Sequence, residues 1–215
     1  MQLSERLEAL LAPGGEKVAV AVLQRYFAPL PAGGYTGAYF ERLGGGGDRP
    51  DVADTFTPDD IVAVSMLSVT VPAPAVLQLL EARRPEMSDL LAKIPTDVAL
   101  AELTADEVGD AWPVRDVYRE LLAIPGIGVT TATKLLARKR PHLVPVLDAV
   151  VTAELSVVKG RYWVPLHAWL TADECAQHRR LKQLRLAAGL GPEVSVLRVF
   201  DVLAWMVGSG YVPEN

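Results

Sequence analysis

An all-α fold is predicted by three features of the chain. Apolar residues recur at helical spacing from Thr57 onward, and capping residues stand where the apolar runs begin. No pair of alternating runs joined by a hairpin turn is found. At 215 residues and 50% hydrophobic composition, the chain is long enough to close a sizeable core and too apolar for global disorder.

Taken in order, Ser4 caps a short amphipathic helix, and KVAVAVLQRYF (Lys17–Phe27) forms a second segment. Its VAVAV portion also alternates well enough for a strand, so both readings stand there. A long break follows, APLPAGGYTGAYFERLGGGGDRPDVADTF. Its consecutive glycines, Gly44 to Gly47, exclude a helix on entropic grounds, and a loop of such length is usually functional or mobile. Thr57-Pro58-Asp59-Asp60 opens the next helix: Thr57 as cap, Pro58 at the first helical position, the acids at the positive end of the dipole. Its body, IVAVSMLSV, is apolar enough for a central core helix. Further helices are predicted at Ala75–Arg83, Glu86–Ile94, Val114–Leu122, Thr130–Arg138, Ala149–Val157, Ala172–Ala188 and Val194–Val207. Thr171 and Glu174 make a capping box for the penultimate one. The organisation expected is an N-terminal segment, 1–56, carrying the glycine-rich loop, and a helical body, 57–215, packed as one unit.

Charge and composition remove several classes of function. With 21 Lys+Arg against 26 Asp+Glu, the net charge of −5 argues against a broadly basic surface but leaves room for a local basic patch. The one cysteine, Cys175, excludes an internal disulfide and any four-cysteine zinc or iron–sulfur site. His142, His167 and His178 lack metal-ligand spacing, so neither metal nor cofactor is expected. There is no phosphate-binding Walker loop and no nucleophile elbow. The start, MQLSERLEALLAPGG, carries charges throughout and does not read as a signal peptide. No apolar run reaches the roughly 18–20 residues that span a bilayer. A cytoplasmic protein without a membrane partner is expected.

The most informative stretch is LLAIPGIGVTTATKLLARKRPHLVPVLDAVV, Leu121 to Val151. Pro125 ends a helix, because it disfavours helical geometry at Ile124. Gly126 and Gly128 open backbone angles closed to other residues and leave no side chain in the way. A helix restarting at Val129 or Thr130 directs the amides of Gly128, Val129 and Thr130 outward, and such an end is a ready anion site. Lys134, Arg138 and Lys139 follow where a phosphate backbone could meet them. The competing reading is a tight turn between core helices, with the RKR cluster complementing the helix dipole.

This pattern, IPGIGxxTA, resembles the hairpin of the helix-hairpin-helix DNA glycosylase superfamily, in which the hairpin holds one DNA strand by its phosphates. VPVLDAVV is similar to the segment that carries that superfamily's catalytic aspartate, with Asp148 at the matching distance. DDIVAVSMLSV (Asp59–Val69) is similar to the helix preceding the DNA-intercalating loop. The resemblance covers about Thr57 to Ala153. It implies a helical glycosylase-like fold, duplex DNA as partner, a hairpin grip by Gly126, Gly128, Val129 and Thr130, and Asp148 as the acidic group. Bifunctional members carry a Schiff-base lysine where this chain has Thr130, so the chemistry implied is monofunctional hydrolysis of an N-glycosidic bond. The aspartate is followed by Ala149 and Val150 instead of Thr-His, and Thr70 stands at the usual glutamine wedge. The segment PAGGYTGAYFERLGGGGDRP is similar to one in a group of uncharacterised bacterial proteins and implies no chemistry.

Read on its own terms, Asp148 has two uses. It can cap the helix beginning at Ala149, or stand in a cleft where it stabilises an oxocarbenium-like sugar or activates water. One residue can do both. Tyr35, Tyr39 and Arg42 form either a base-stacking lip on the loop or anchors that hold the loop to the body. Glu41 is a possible assistant to chemistry if it lies near. HRRLKQLR (His178–Arg185) reads as a phosphate track or as a solvated face. Two rival functions remain at this level: a non-catalytic DNA-binding or partner-recruiting module, and a small-molecule or protein-binding domain that uses the YTG loop.

Overall fold

A computed structural model describes residues 1–157 and 161–212. The helices expected from the sequence form, with revised bounds. They are α1 (Glu5–Leu11), α2 (Glu16–Tyr26), α3 (Pro58–Ser65), α4 (Ala73–Leu77), α5 (Arg84–Leu91), α6 (Pro113–Leu122), α7 (Val129–Lys139), α8 (Ala149–Ala153), α9 (Trp163–Ala187) and α10 (Val196–Gly208). The VAVAV stretch is helical: α2 turns Ala19, Val22, Leu23 and Tyr26 inward, a spacing that only a helix places on one face. α4 runs on through one π-turn at Gln78–Ala82.

Two expectations are corrected. The segment predicted as one helix from Ala149 to Val157 is a short helix followed by a two-residue strand, β2 (Leu155–Ser156). β2 pairs antiparallel with β1 (Gln2–Leu3), a partner too distant in sequence for local pattern to announce. The capping box at Thr171 and Glu174 is not formed. Thr171 Oγ1 instead donates to the His167 carbonyl inside α9, which starts earlier, at Trp163. A break follows at Ala172, with positive φ at Asp173, Glu174 and Cys175. Asp60 stands in the first turn of α3, as expected. It is fully buried and accepts from the Thr57 amide at 2.9 Å.

The first and last helices meet. α1 and α2 pack on α9 and α10, while α3 and α6 pack on α7, and α5 packs on α6. α10 is the most enclosed element, buried at nearly every position from Val196 to Val207. A single hydrophobic cluster runs from Leu7 to Val207 through both sets of helices. The long segment between α2 and α3 is not an open loop. It folds into short 3₁₀ turns at Leu30–Ala32, Thr36–Tyr39 and Leu43–Gly45 and buries Phe40, Ala53 and Phe56. Gly44, Gly45 and Gly46 all take positive φ there.

Candidate active site

At the turn between α6 and α7 one of the two glycines takes the backbone angles expected of both. Gly126 has φ +90°, and a Cβ there would lie 2.9 Å from the Pro72 ring, so glycine is required by backbone and neighbour alike. Gly128 differs. It has an ordinary φ of −92°, and a Cβ built on it meets nothing within 4 Å. The fold does not demand glycine at Gly128; its effect is to leave open approach to the start of α7. Ile127 is buried and donates its amide to the Ile124 carbonyl. The amides of Gly128, Val129, Thr130 and Thr131 have no acceptor among the described residues; the first paired amide is that of Ala132. An eleven-residue helix thus presents an uncapped positive end to solvent.

Asp148 is both cap and cleft residue. Its Oδ1 accepts the amides of Val150 at 3.0 Å and Val151 at 2.9 Å, which starts α8. Its Oδ2 faces Lys134 Nζ across 3.8 Å. The residue lines two cavities at once. One, of about 400 Å³, is walled by Tyr35, Lys134, Arg198 and Trp205; the other, of about 680 Å³, by Tyr118, Arg115 and Trp163. Thr130 and Ala149 share both linings, so the start of α7 and the Asp148 cap form the ridge between them.

Lys134 does not stand on the surface beside the hairpin. It is buried, donates to the Leu67 carbonyl at 2.7 Å, and contributes its ammonium to the first cavity. Burial lowers its pKa below the ordinary lysine value, against the opposing pull of Asp148. Deeper in the same cavity lies a network that sequence reasoning missed. Arg198 bonds to Asp201 at 2.6 Å, donates to Tyr26 Oη at 2.8 Å and to the Gly37 carbonyl at 3.0 Å, and is ion-paired with Glu41. Asp201 in turn accepts the Val146 amide at 3.1 Å and so holds the strand-like run that leads to Asp148. Burial drives the Asp201 pKa up to about 7 and raises that of Glu41, in both cases against Arg198. The signal was present: Arg198 and Asp201 are opposite charges at i and i+3 inside the apolar run VLRVFDVLAW.

Two of the expected phosphate ligands must be withdrawn. Arg138 and Lys139 are 2% and 0% exposed. Arg138 bonds Asp60 at 3.1 Å and donates to the carbonyls of Phe40, Glu41 and Leu43. Lys139 reaches Asp60 at 2.5 Å and the carbonyls of Gly47 and Val52. Arg140 completes the set through Ala53, Leu91, Ile94 and Asp54. The physical reason lies in the loop. A segment without ladder or helix still has carbonyls to satisfy when buried, and here three adjacent cations of α7 and its cap satisfy them. The loop residues also divide. Tyr35 stacks on Tyr26, with centroids 5.2 Å apart, and lines the first cavity. Tyr39 and Arg42 pair with each other, the guanidinium 4.3 Å from the ring centroid, and line none of the cavities described for the cleft.

Residues 19–208 match a protein family described as "Family of unknown function (DUF6308)". The chain belongs to it. The DUF6308 match runs from within α2 to the end of α10 and therefore takes in the cleft residues named above, from Tyr26 through Lys134 and Asp148 to Trp205. No curated protein and no solved structure matches the chain. Among the described residues, no helix is long and apolar enough to cross a membrane, and no group of three or more His, Cys, Asp or Glu side chains could hold a metal ion.

Proposed function

We propose that this DUF6308 chain binds a DNA strand at the α6–α7 hairpin and hydrolyses the N-glycosidic bond of a base turned into the adjoining cleft. One observation carries the reading: Asp148 spends one carboxylate oxygen on its helix cap and keeps the other in a cavity that begins at the unpaired amides of α7. A strand phosphate seated on those amides would bring its neighbouring sugar toward the same ridge. Tyr35 and Trp205 give the cavity aromatic surface against which a base can pack. In the hydrolysis, the C1′–N bond breaks and the base leaves with its electron pair. Water adds its oxygen at C1′ while Asp148 Oδ2 offsets the positive charge on the sugar or takes the water's proton, and that proton ends on the departed base. The base must first leave the duplex, at a cost of a few kcal/mol of unstacking.

A panel of duplexes carrying damaged or mismatched bases, scored for base release in single turnover, tests this reading. Release from at least one duplex is expected, and release from none rejects hydrolysis. A second reading rests on a different observation, that Tyr35, Thr36 and Gly37 of the YTG segment line the same cavity. It makes the cavity a small-molecule site with the hairpin as architecture. Hairpin binding to DNA weakens with rising salt, whereas small-molecule binding through aromatic surface does not.

A further inference from the structure

Away from the cleft, a polar cavity of about 270 Å³ lies where α9, the start of α10 and the segment after α7 come together. His178, Lys182 and Arg185 enter it from one face of α9, and His142 from the residues just past α7. Among the described residues, the rings of His142 and His178 and the ammonium of Lys182 have no hydrogen-bond or ion-pair partner. Arg185 donates only to the Val194 carbonyl, and its Nε is buried without an acceptor. Val196 and Leu197, the first two residues of α10, also line the cavity. Their amides are unpaired, because Ser195 Oγ accepts only from Arg198 and the first helical bond is that of Val199. The positive end of a thirteen-residue helix therefore opens on the same space.

Two carboxylates also face it. Glu102 uses one oxygen on the Ala99 amide at 2.8 Å, and Asp97 is exposed at the rim. With Lys182 and Arg185 opposing these, the histidines decide the sign of the cavity. Burial lowers the pKa of both rings. Glu102 opposes that shift at each, joined by Asp48 at His142, while Arg185 reinforces it at each, joined by Lys182 at His178.

We propose that this cavity binds a phosphate-class oxyanion, free or as the terminal group of a small monoester, held by Lys182, Arg185, the two histidines and the α10 amides. Four side chains with donors to spare and a helix end with two unpaired amides converge there, against the Val194 carbonyl and the exposed carboxylates of Glu102 and Asp97 as the acceptors the protein offers among the described residues. The arriving anion supplies the negative charge that favours the protonated rings, so binding takes up protons and tightens as pH falls.

The test is a titration of the full chain with inorganic phosphate, following the imidazole C–H signals by NMR, with adenosine monophosphate run in parallel. His167, which is buried and bonded to the Leu103 carbonyl at 2.8 Å, serves as the internal control. The signals of His142 and His178 are expected to move saturably while that of His167 stays still, with both pKa values rising by about one unit on saturation. Lys182→Gln, at an exposed position, and Arg185→Gln are each expected to weaken binding about tenfold. Tighter binding of the monophosphate identifies a monoester as ligand; equal binding identifies the free anion. Rings that do not respond saturably to either probe, or an unchanged affinity in Lys182→Gln, overturn the proposal. Neither result touches Asp148, which shares no residue with this cavity.

Discussion

Asp148 and Asn would serve α8 almost equally, because an amide oxygen accepts the same two backbone bonds as the carboxylate. Asp148→Asn keeps the cap but withdraws the charge that faces buried Lys134, so it is expected to fold with a loss of about 1–3 kcal/mol, while any base release disappears. Activity that survives in the variant removes Asp148 from the chemistry. The two hairpin glycines separate in the same manner. Gly128→Asp adds a carboxylate in open space, so the variant is expected to fold and, if the hairpin grips phosphate, to lose affinity for a DNA strand. A Gly128→Asp protein that binds duplex DNA unchanged makes the hairpin a turn and nothing more. Gly126→Ala must hold a positive φ against Pro72 and is expected to lose about 1–3 kcal/mol in urea unfolding. The cap and the turn were legible because each depends on near neighbours: Asp148 is two residues from the amide it accepts, and Gly126 follows Pro125; the contact of Gly126 with Pro72 was not. Arg138 and Lys139 were not legible. Their partners lie in a loop nearly a hundred residues away, and a cation that satisfies buried carbonyls has the same local sequence as one facing phosphate.

α7 carries opposite properties at its two ends, an unpaired and accessible N-terminus and a C-terminus sunk in the body. Asp60, on α3, is the buried anion that the sunken end shares between Arg138 and Lys139. Asp60→Asn keeps the volume and removes the charge, and is expected to cost about 3–5 kcal/mol in denaturant unfolding, because two buried cations lose their counter-ion. A loss under about 1 kcal/mol would show that the loop carbonyls alone suffice. Most element types followed from the sequence, since a period of 3.6 persists whatever the helices pack against. The failures sit where a tertiary contact overrides the local signal. β2 exists because β1 pairs with it.

The net charge of −5 and the burial of Arg138 and Lys139 set an expectation for the whole molecule. If DNA is held by hairpin amides with few surface cations, the log–log salt slope of binding is shallower than about 2, at about 0.9 per phosphate neutralised. A slope several times steeper would place the DNA on a basic surface away from the hairpin. The pH dependence of stability follows from Asp201. Its pKa is 3.8 when free and about 7 when buried, so the folded protein holds a proton that the unfolded chain releases. Its contribution is fully present below pH 3.8 and is lost as pH rises through about 7. Asp201→Asn removes that slope, so its melting temperature should improve relative to the parent across this interval, by roughly 2–4 °C per kcal/mol. A parallel pair of pH profiles refutes this. The grip of α7 on the 40–53 segment also bears on how the protein is made. Phe40 emerges from the ribosome 98 residues before the arginine that will hold its carbonyl. At about 5–20 residues per second, the glycine-rich segment waits roughly 5–20 seconds for that partner. Until then its aromatic residues are open to chaperones and to other chains, and a pause in translation before residue 138 would prolong the exposure.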